Sequence, residues 1–225
     1  MTDQGITHRA IRALKRWYVS SIRGPEAFIR AAAKGDIATM REFLAWGYDI
    51  NTRWEAYTPP LRWDSPAPRF TTGSPDEFYH PLHVAAEHGV CSSISFLLEQ
   101  PGIDVNARWG DRTAVTLAAD ERHHDALRLL LADPRCNRDH AEADGNTALH
   151  WAIRNGNTEG CRILLLGGAN PFLRNKDGCF PHDCLGSGNG YDGFEEIFRE
   201  FGIHHRLCQL RRLRLASLIK KGPSL

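Results

Sequence analysis

No stretch of the chain stays apolar for the about 20 residues that a helix needs to cross a bilayer, so no membrane span is expected in these 225 residues. The first residues lack the basic, apolar and small-residue series of a secretory signal. Six cysteines, Cys91, Cys136, Cys161, Cys179, Cys184 and Cys208, are scattered along the sequence without a Cys-x-x-Cys hook, which points to a reduced cytosolic or nuclear setting. A phosphate loop with Gly-Lys-Ser/Thr is also missing. Gly186-x-Gly188-x-Gly190 has neither the preceding strand nor the spacing of a dinucleotide site, and Ser92, Ser93 and Ser217 have no elbow context that would mark a nucleophile. These gaps leave no catalytic residue to name and imply no cofactor. A strongly signed charge is absent as well. The formal net charge is +1, but residues 1–23 carry +4 and residues 203–225 carry +6, which leaves the centre at −9. An acidic centre is a poor grip for phosphate backbones, so nucleic acid is not expected on the body of the chain, whereas the basic ends retain that option.

What the sequence does hold is a recurrence. Ala85, Ala118 and Ala152 occupy one motif position at intervals of 33 and 34 residues. Around them run His80-Pro81-Leu82-His83-Val84-Ala85-Ala86-Glu87-His88-Gly89, the eroded Thr113-Ala114-Val115-Thr116-Leu117-Ala118-Ala119, and Asp144-Gly145-Asn146-Thr147-Ala148-Leu149-His150-Trp151-Ala152. Each is followed by an apolar helical segment and a loop: Gly102-Ile103-Asp104-Val105-Asn106, then Asp133-Pro134-Arg135-Cys136-Asn137, then Gly167-Gly168-Ala169-Asn170-Pro171. Upstream, Phe28 to Gly35 keeps the small residues, Asp36 is placed to cap a second helix, and Tyr48-Asp49-Ile50-Asn51 repeats the loop.

This pattern resembles the ankyrin repeat family over roughly residues 25 to 202. The resemblance implies an all-α solenoid of helix pairs with short β-hairpin loops, about five repeats including a divergent C-terminal one at Asp177 to Phe201. Residues 1–24 then read as a basic amphipathic capping helix, residues 25–202 as the repeat domain, and residues 203–225 as a basic cap or tail. Ala31 to Ala85 is 54 residues, one period plus about twenty, and the surplus forms a Pro- and aromatic-rich insert at 54–79. Such a loop either covers the adjoining repeats or contacts a partner.

By the same resemblance, His83 and His150 fix turns and Trp151 fills an inward core position. Adjacent His123 and His124 project about 100° apart on a helix and do not chelate together. Cys179, His182, Cys184, His204, His205 and Cys208 have zinc-type ligands in a poor spacing, so no metal site is expected. Recognition is expected on the concave side: Ala33 and Lys34, Glu87 and His88, Asp120 and Glu121, and Arg154 and Asn155 after the small pairs; Arg108, Trp109, Asp111 and Arg112, then Asp139, His140 and Glu142, and Arg174 and Lys176 on the hairpin fingers; and Trp54 and Trp63 in the insert. Trp109 stands out as an interface hot spot, because tryptophan and arginine are enriched there. The expected function is a non-catalytic interaction module, monomeric and cytoplasmic or nuclear, that binds a protein partner. The alternatives are an enzyme whose insert closes a pocket, and a nuclear regulator that uses its basic termini.

Overall fold

The computed structural model describes residues 23–51, 54–55, 78–184 and 192–203. The leading helix expected within 1–24, nearly all of the insert including Trp63, and the tail at 204–225 lie outside them.

Helices come in pairs along the chain: α1 (Arg23–Lys34) and α2 (Ile37–Ala45), α3 (Pro81–Glu87) and α4 (Cys91–Leu98), α5 (Ala114–Asp120) and α6 (His124–Ala132), and α7 (Ala148–Arg154) and α8 (Thr158–Leu166). A 3-10 turn (Pro181–Cys184) and α9 (Asp192–Glu200) complete the series. The first members stack as α1, α3, α5, α7 and the 3-10 turn; the second members stack beside them as α2, α4, α6, α8 and α9. The described chain is thus an all-α solenoid. Its strand content is a two-residue antiparallel pairing of β1 (Trp54–Glu55) with β2 (Phe78–Tyr79), where the ends of the insert meet, and a single bridge between Trp109 and Arg112.

The seven-residue inner helices are far too short to persist alone, so packing must hold them. Ala85, Ala86, Ala118, Ala119 and Ala152 are all fully buried; side chains this small let successive inner helices approach closely. Local caps define their ends. The hydroxyl of Thr113 accepts from the Thr116 amide, while Thr116 Oγ1 accepts from the Thr113 amide at 2.9 Å. In α7 the same box is built from Thr147 and His150. Asp36 caps α2 as its sequence suggests, accepting from the Thr39 amide at 3.0 Å. The outer helices supply the larger apolar groups: Met40 and Phe43, Ile94 and Leu97, Leu127 and Leu130, and Cys161 and Leu164 are all buried. Phe194, Ile197, Phe198 and Ile203 extend that core past the last full pair.

Between pairs, the loop Asn or Asp sews each repeat to the next. Asn51 donates to the Gly102 carbonyl at 2.7 Å and accepts from the Asp104 amide at 2.8 Å. Asn106 donates to the Arg135 carbonyl at 2.8 Å and accepts from the Asn137 amide at 2.6 Å. Asp139, which cannot donate, keeps only the second half, accepting from Asn170 at 2.7 Å. No helix among the described residues is long and apolar enough to cross a membrane.

Candidate functional site

The residues after each small pair emerge at the ends of the inner helices. Glu87, Asp120 and Asn155 are half-buried there, and His88, Glu121 and Arg154 are exposed. Arg112, arriving from the finger before α5, draws this row together. Its guanidinium pairs with Asp120 at 2.7 Å and with Glu142 of the next finger at 3.4 Å. Trp151 donates its indole N–H to Glu142 at 2.9 Å, and Asn155 donates to the other oxygen of Asp120 at 2.5 Å. The Trp151 ring lies near both Arg112 and Arg154, whose guanidinium carbons are 5.4 and 5.3 Å from its centroid. Two successive repeats thereby contribute to one half-buried polar surface fixed by charged hydrogen bonds. Burial holds the Glu142 carboxyl above its ordinary value, although Arg112 and the indole N–H pull the other way. Burial also raises Glu87, with nearby Glu121 adding to the rise and His88 and Arg112 opposing it.

Two tryptophans exchange the roles expected of them. Trp109 is buried, at 6% exposure, and offers no open ring as a contact. Its finger alternates, with Ile103, Val105, Ala107 and Trp109 inside and Asp104, Asn106, Arg108 and Gly110 outside, and the bridge to Arg112 turns the chain back so that the indole faces the array. Trp151, expected in the core, is instead half-buried on the inner face. Its position holds the buried Val84 and Leu117 in the preceding repeats, and the larger indole extends to the surface, where Glu142 takes its N–H.

The remaining expected residues divide between contact positions and internal seams. Arg108, Asp111 and Lys176 are exposed fingertips. Asp139 belongs to the seam with Asn170, and His140 bonds through Nε2 to the Asp111 carbonyl at 2.8 Å, so both tie fingers together. Arg174 donates to the Gly178 carbonyl at 2.7 Å and covers the Phe180 ring at 4.0 Å. Trp54 is described only through its backbone in β1.

The histidines of the motif serve the turns. His83 Nε2 lies 2.7 Å from the Ala107 carbonyl. His150 accepts the Thr147 amide at Nδ1, which leaves Nε2–H to donate to the Cys179 carbonyl at 3.3 Å; burial lowers its pKa. His123 and His124 bond separately, to the Glu87 carbonyl at 2.9 Å and to Asn157 at 2.8 Å. Burial pushes the Cys136 and Cys161 thiols up to about 11 and about 12, far from a reactive thiolate. No group of three or more His, Cys, Asp or Glu side chains able to hold a metal occurs among the described residues; His204, His205 and Cys208 lie outside them.

A family model for ankyrin repeats, in three copies, matches residues 82–175, the span that builds this surface. The chain carries ankyrin repeats over this span. Among its relatives is the human transient receptor potential cation channel subfamily A member 1, 34% identical over 127 residues that make up 56% of this chain and 11% of the channel. A fowlpox virus ankyrin repeat protein is 32% identical over 103 residues, 44% of this chain and 30% of its own. The Arabidopsis thaliana E3 ubiquitin-protein ligase XBAT33 is 39% identical over 87 residues, 38% of this chain and 17% of the ligase. This chain therefore spans less than a third of each of these relatives. A channel and a ubiquitin ligase share the repeats and little else in their names, so the likeness carries the scaffold and not the activity. Ankyrin repeats are in general protein–protein interaction modules and are typically non-catalytic.

Proposed function

We propose that this chain is a non-catalytic adaptor or inhibitor that holds a segment of a protein partner against its inner face. The observation that carries the reading is the fixed surface formed by Arg112, Asp120, Glu142, Trp151 and Arg154. Its hydrogen bonds are made before any partner arrives, so little ordering is lost on binding. It also combines a half-buried tryptophan with arginines, the composition of interface hot spots. Both charge signs alternate across it, which suits a protein surface better than a polyanion.

The test is quantitative capture from the native source by the wild-type chain, by Trp151→Ala, by Arg154→Glu, and by Leu166→Ser on the exposed outer helix. Recovery of specific partners is expected to fall about tenfold or more with both inner-face variants, the scale of a hot-spot loss, and to hold with the outer one. Equal recovery in all four would remove the inner face as the binding surface.

A further inference from the structure

Asn155-Gly156 is the one asparagine-glycine pair among the described residues. In the sister turns from inner to outer helix the corresponding pairs are Lys34-Gly35, His88-Gly89 and Glu121-Arg122. An asparagine side chain is open to attack by the backbone nitrogen of the residue after it, and a glycine there has no Cβ to hinder the approach. The Gly156 nitrogen would form a bond to Cγ of Asn155, its proton passing through water to the departing amide nitrogen, and ammonia would leave. Water then opens the resulting five-membered imide at one carbonyl to give aspartate, or at the other to give isoaspartate. One water is consumed and one ammonia released.

The fold opposes each part of this step. Ring closure brings the Gly156 nitrogen into line with Cβ about the Cα–C bond, whereas a ψ of 4° at Asn155 aligns it with that residue's own backbone nitrogen. The Gly156 N–H donates to the Ile153 carbonyl at 3.0 Å, which holds the orientation. The side-chain amide donates to Asp120 at 2.5 Å, and the Asn155 carbonyl accepts from the Arg122 guanidinium. Asp120 ends α5 and Arg122 lies in the turn after it, so these two restraints exist only while α5 and α7 are docked. The product does not fit back. Aspartate at position 155 has no N–H to offer, and its carboxylate would face that of Asp120 at hydrogen-bond distance, where like charges repel. Isoaspartate would add a backbone methylene at the C-cap of α7.

We propose that Asn155-Gly156 is a one-way deamidation site governed by the docking of α5 on α7. The asparagine survives while the two repeats are packed and is converted when they part, and the product cannot re-form the contact with Asp120.

Conversion at Asn155 is read by peptide mapping with mass spectrometry after the full chain has stood in mildly alkaline buffer, native or in urea. The native chain is expected to convert at least about a hundredfold more slowly than the chain in urea, the scale of two charge-assisted hydrogen bonds. Arg122→Gly relieves a left-handed φ of 60°, so it should melt no lower than the wild type and yet convert about tenfold faster, as for loss of one such bond. Met40→Ala, in the buried core of the first pair, should melt lower and leave the rate at Asn155 unchanged, because local opening is separate from opening elsewhere. Equal rates in native buffer and urea, or rates that simply follow melting temperature across these variants, would overturn control by the α5 and α7 contact. Asn155→Asp should melt below the wild type, and adding Asp120→Asn, which exchanges donor and acceptor, should recover part of that loss. An Asn155→Asp chain that melts with the wild type would overturn the one-way character.

Discussion

The half-buried carboxyl of Glu87 and the buried imidazole of His150 respond to pH with opposite signs. Burial raises Glu87, so its native state binds protons more readily than its unfolded state. The stability linked to that proton is fully present below the ordinary value of 4.5 and is lost as pH rises through the folded value. Glu87→Gln is therefore expected to match the wild type in acid and to exceed it in stability at neutral pH, as measured by urea unfolding across a pH series. His150 is lowered by burial, so its contribution is present above the ordinary value of 6.5 and is lost as pH falls through the folded value. In His150→Thr, which copies Thr116 of the preceding repeat, the acid loss should flatten. At neutral pH it should cost about 1 kcal/mol for the missing bond to the Cys179 carbonyl. Single residues also show how far the sequence could be read. The alternation Ile103-Asp104-Val105-Asn106-Ala107-Arg108-Trp109 puts Trp109 in phase with the apolar members, so its burial was legible, and only its place on a finger pointed outward. Trp151 was not legible. Its motif position is apolar elsewhere, and the groups that hold it at the surface come from Glu142 on the finger before it and Arg112 of the preceding repeat.

Among elements, the sequence shows helix caps and turns more clearly than seams. Asp36 and the Thr113 and Thr147 boxes sit where their residue types place them. The Asp-x-Asn of the first two loops, Asp49 to Asn51 and Asp104 to Asn106, is visible in sequence, but its partner lies in the next repeat's loop and no local pattern names it. Asn106 holds two such bonds. Asn106→Ala is expected to cost about 1–3 kcal/mol, one to two net hydrogen bonds. It should also lower the cooperativity of urea unfolding, because nearest-neighbour contacts couple repeats; an unchanged unfolding slope would show that the helix faces alone couple them. The turn between α3 and α4 is constrained differently. A Cβ at Gly89 would lie 2.5 Å from His123 Nδ1, at a φ of 66°. Gly89→Ala should then destabilise by about 2 kcal/mol or more, from left-handed strain together with displacement of His123, measured as a lower thermal midpoint.

For the molecule as a whole, the period in the sequence defines the solenoid, and the departures from period mark where the chain differs from its neighbours. The short 3-10 turn stands in the place of an inner helix and is followed within a few residues by Gly186, Gly188 and Gly190, a composition that does not sustain a helix. The core continues past it through α9. A chain ending at residue 184 would lack Phe194, Ile197, Phe198 and Ile203, all buried. It should lose several kcal/mol, since each large apolar side chain contributes roughly 1.5–3 kcal/mol on burial, and should bind a hydrophobic dye that the full chain does not.

The seams have a direction. Asn51 waits for Gly102 and Asp104, 51 and 53 positions later, whereas Asn106 waits only for Arg135 and Asn137, 29 and 31 positions later. On the ribosome, where the N-terminal end emerges first, each pair of helices stays unsealed until the following loop is synthesised. The insert makes that interval longest for the first pair, which is where a nascent chain of this protein has the greatest need of a chaperone.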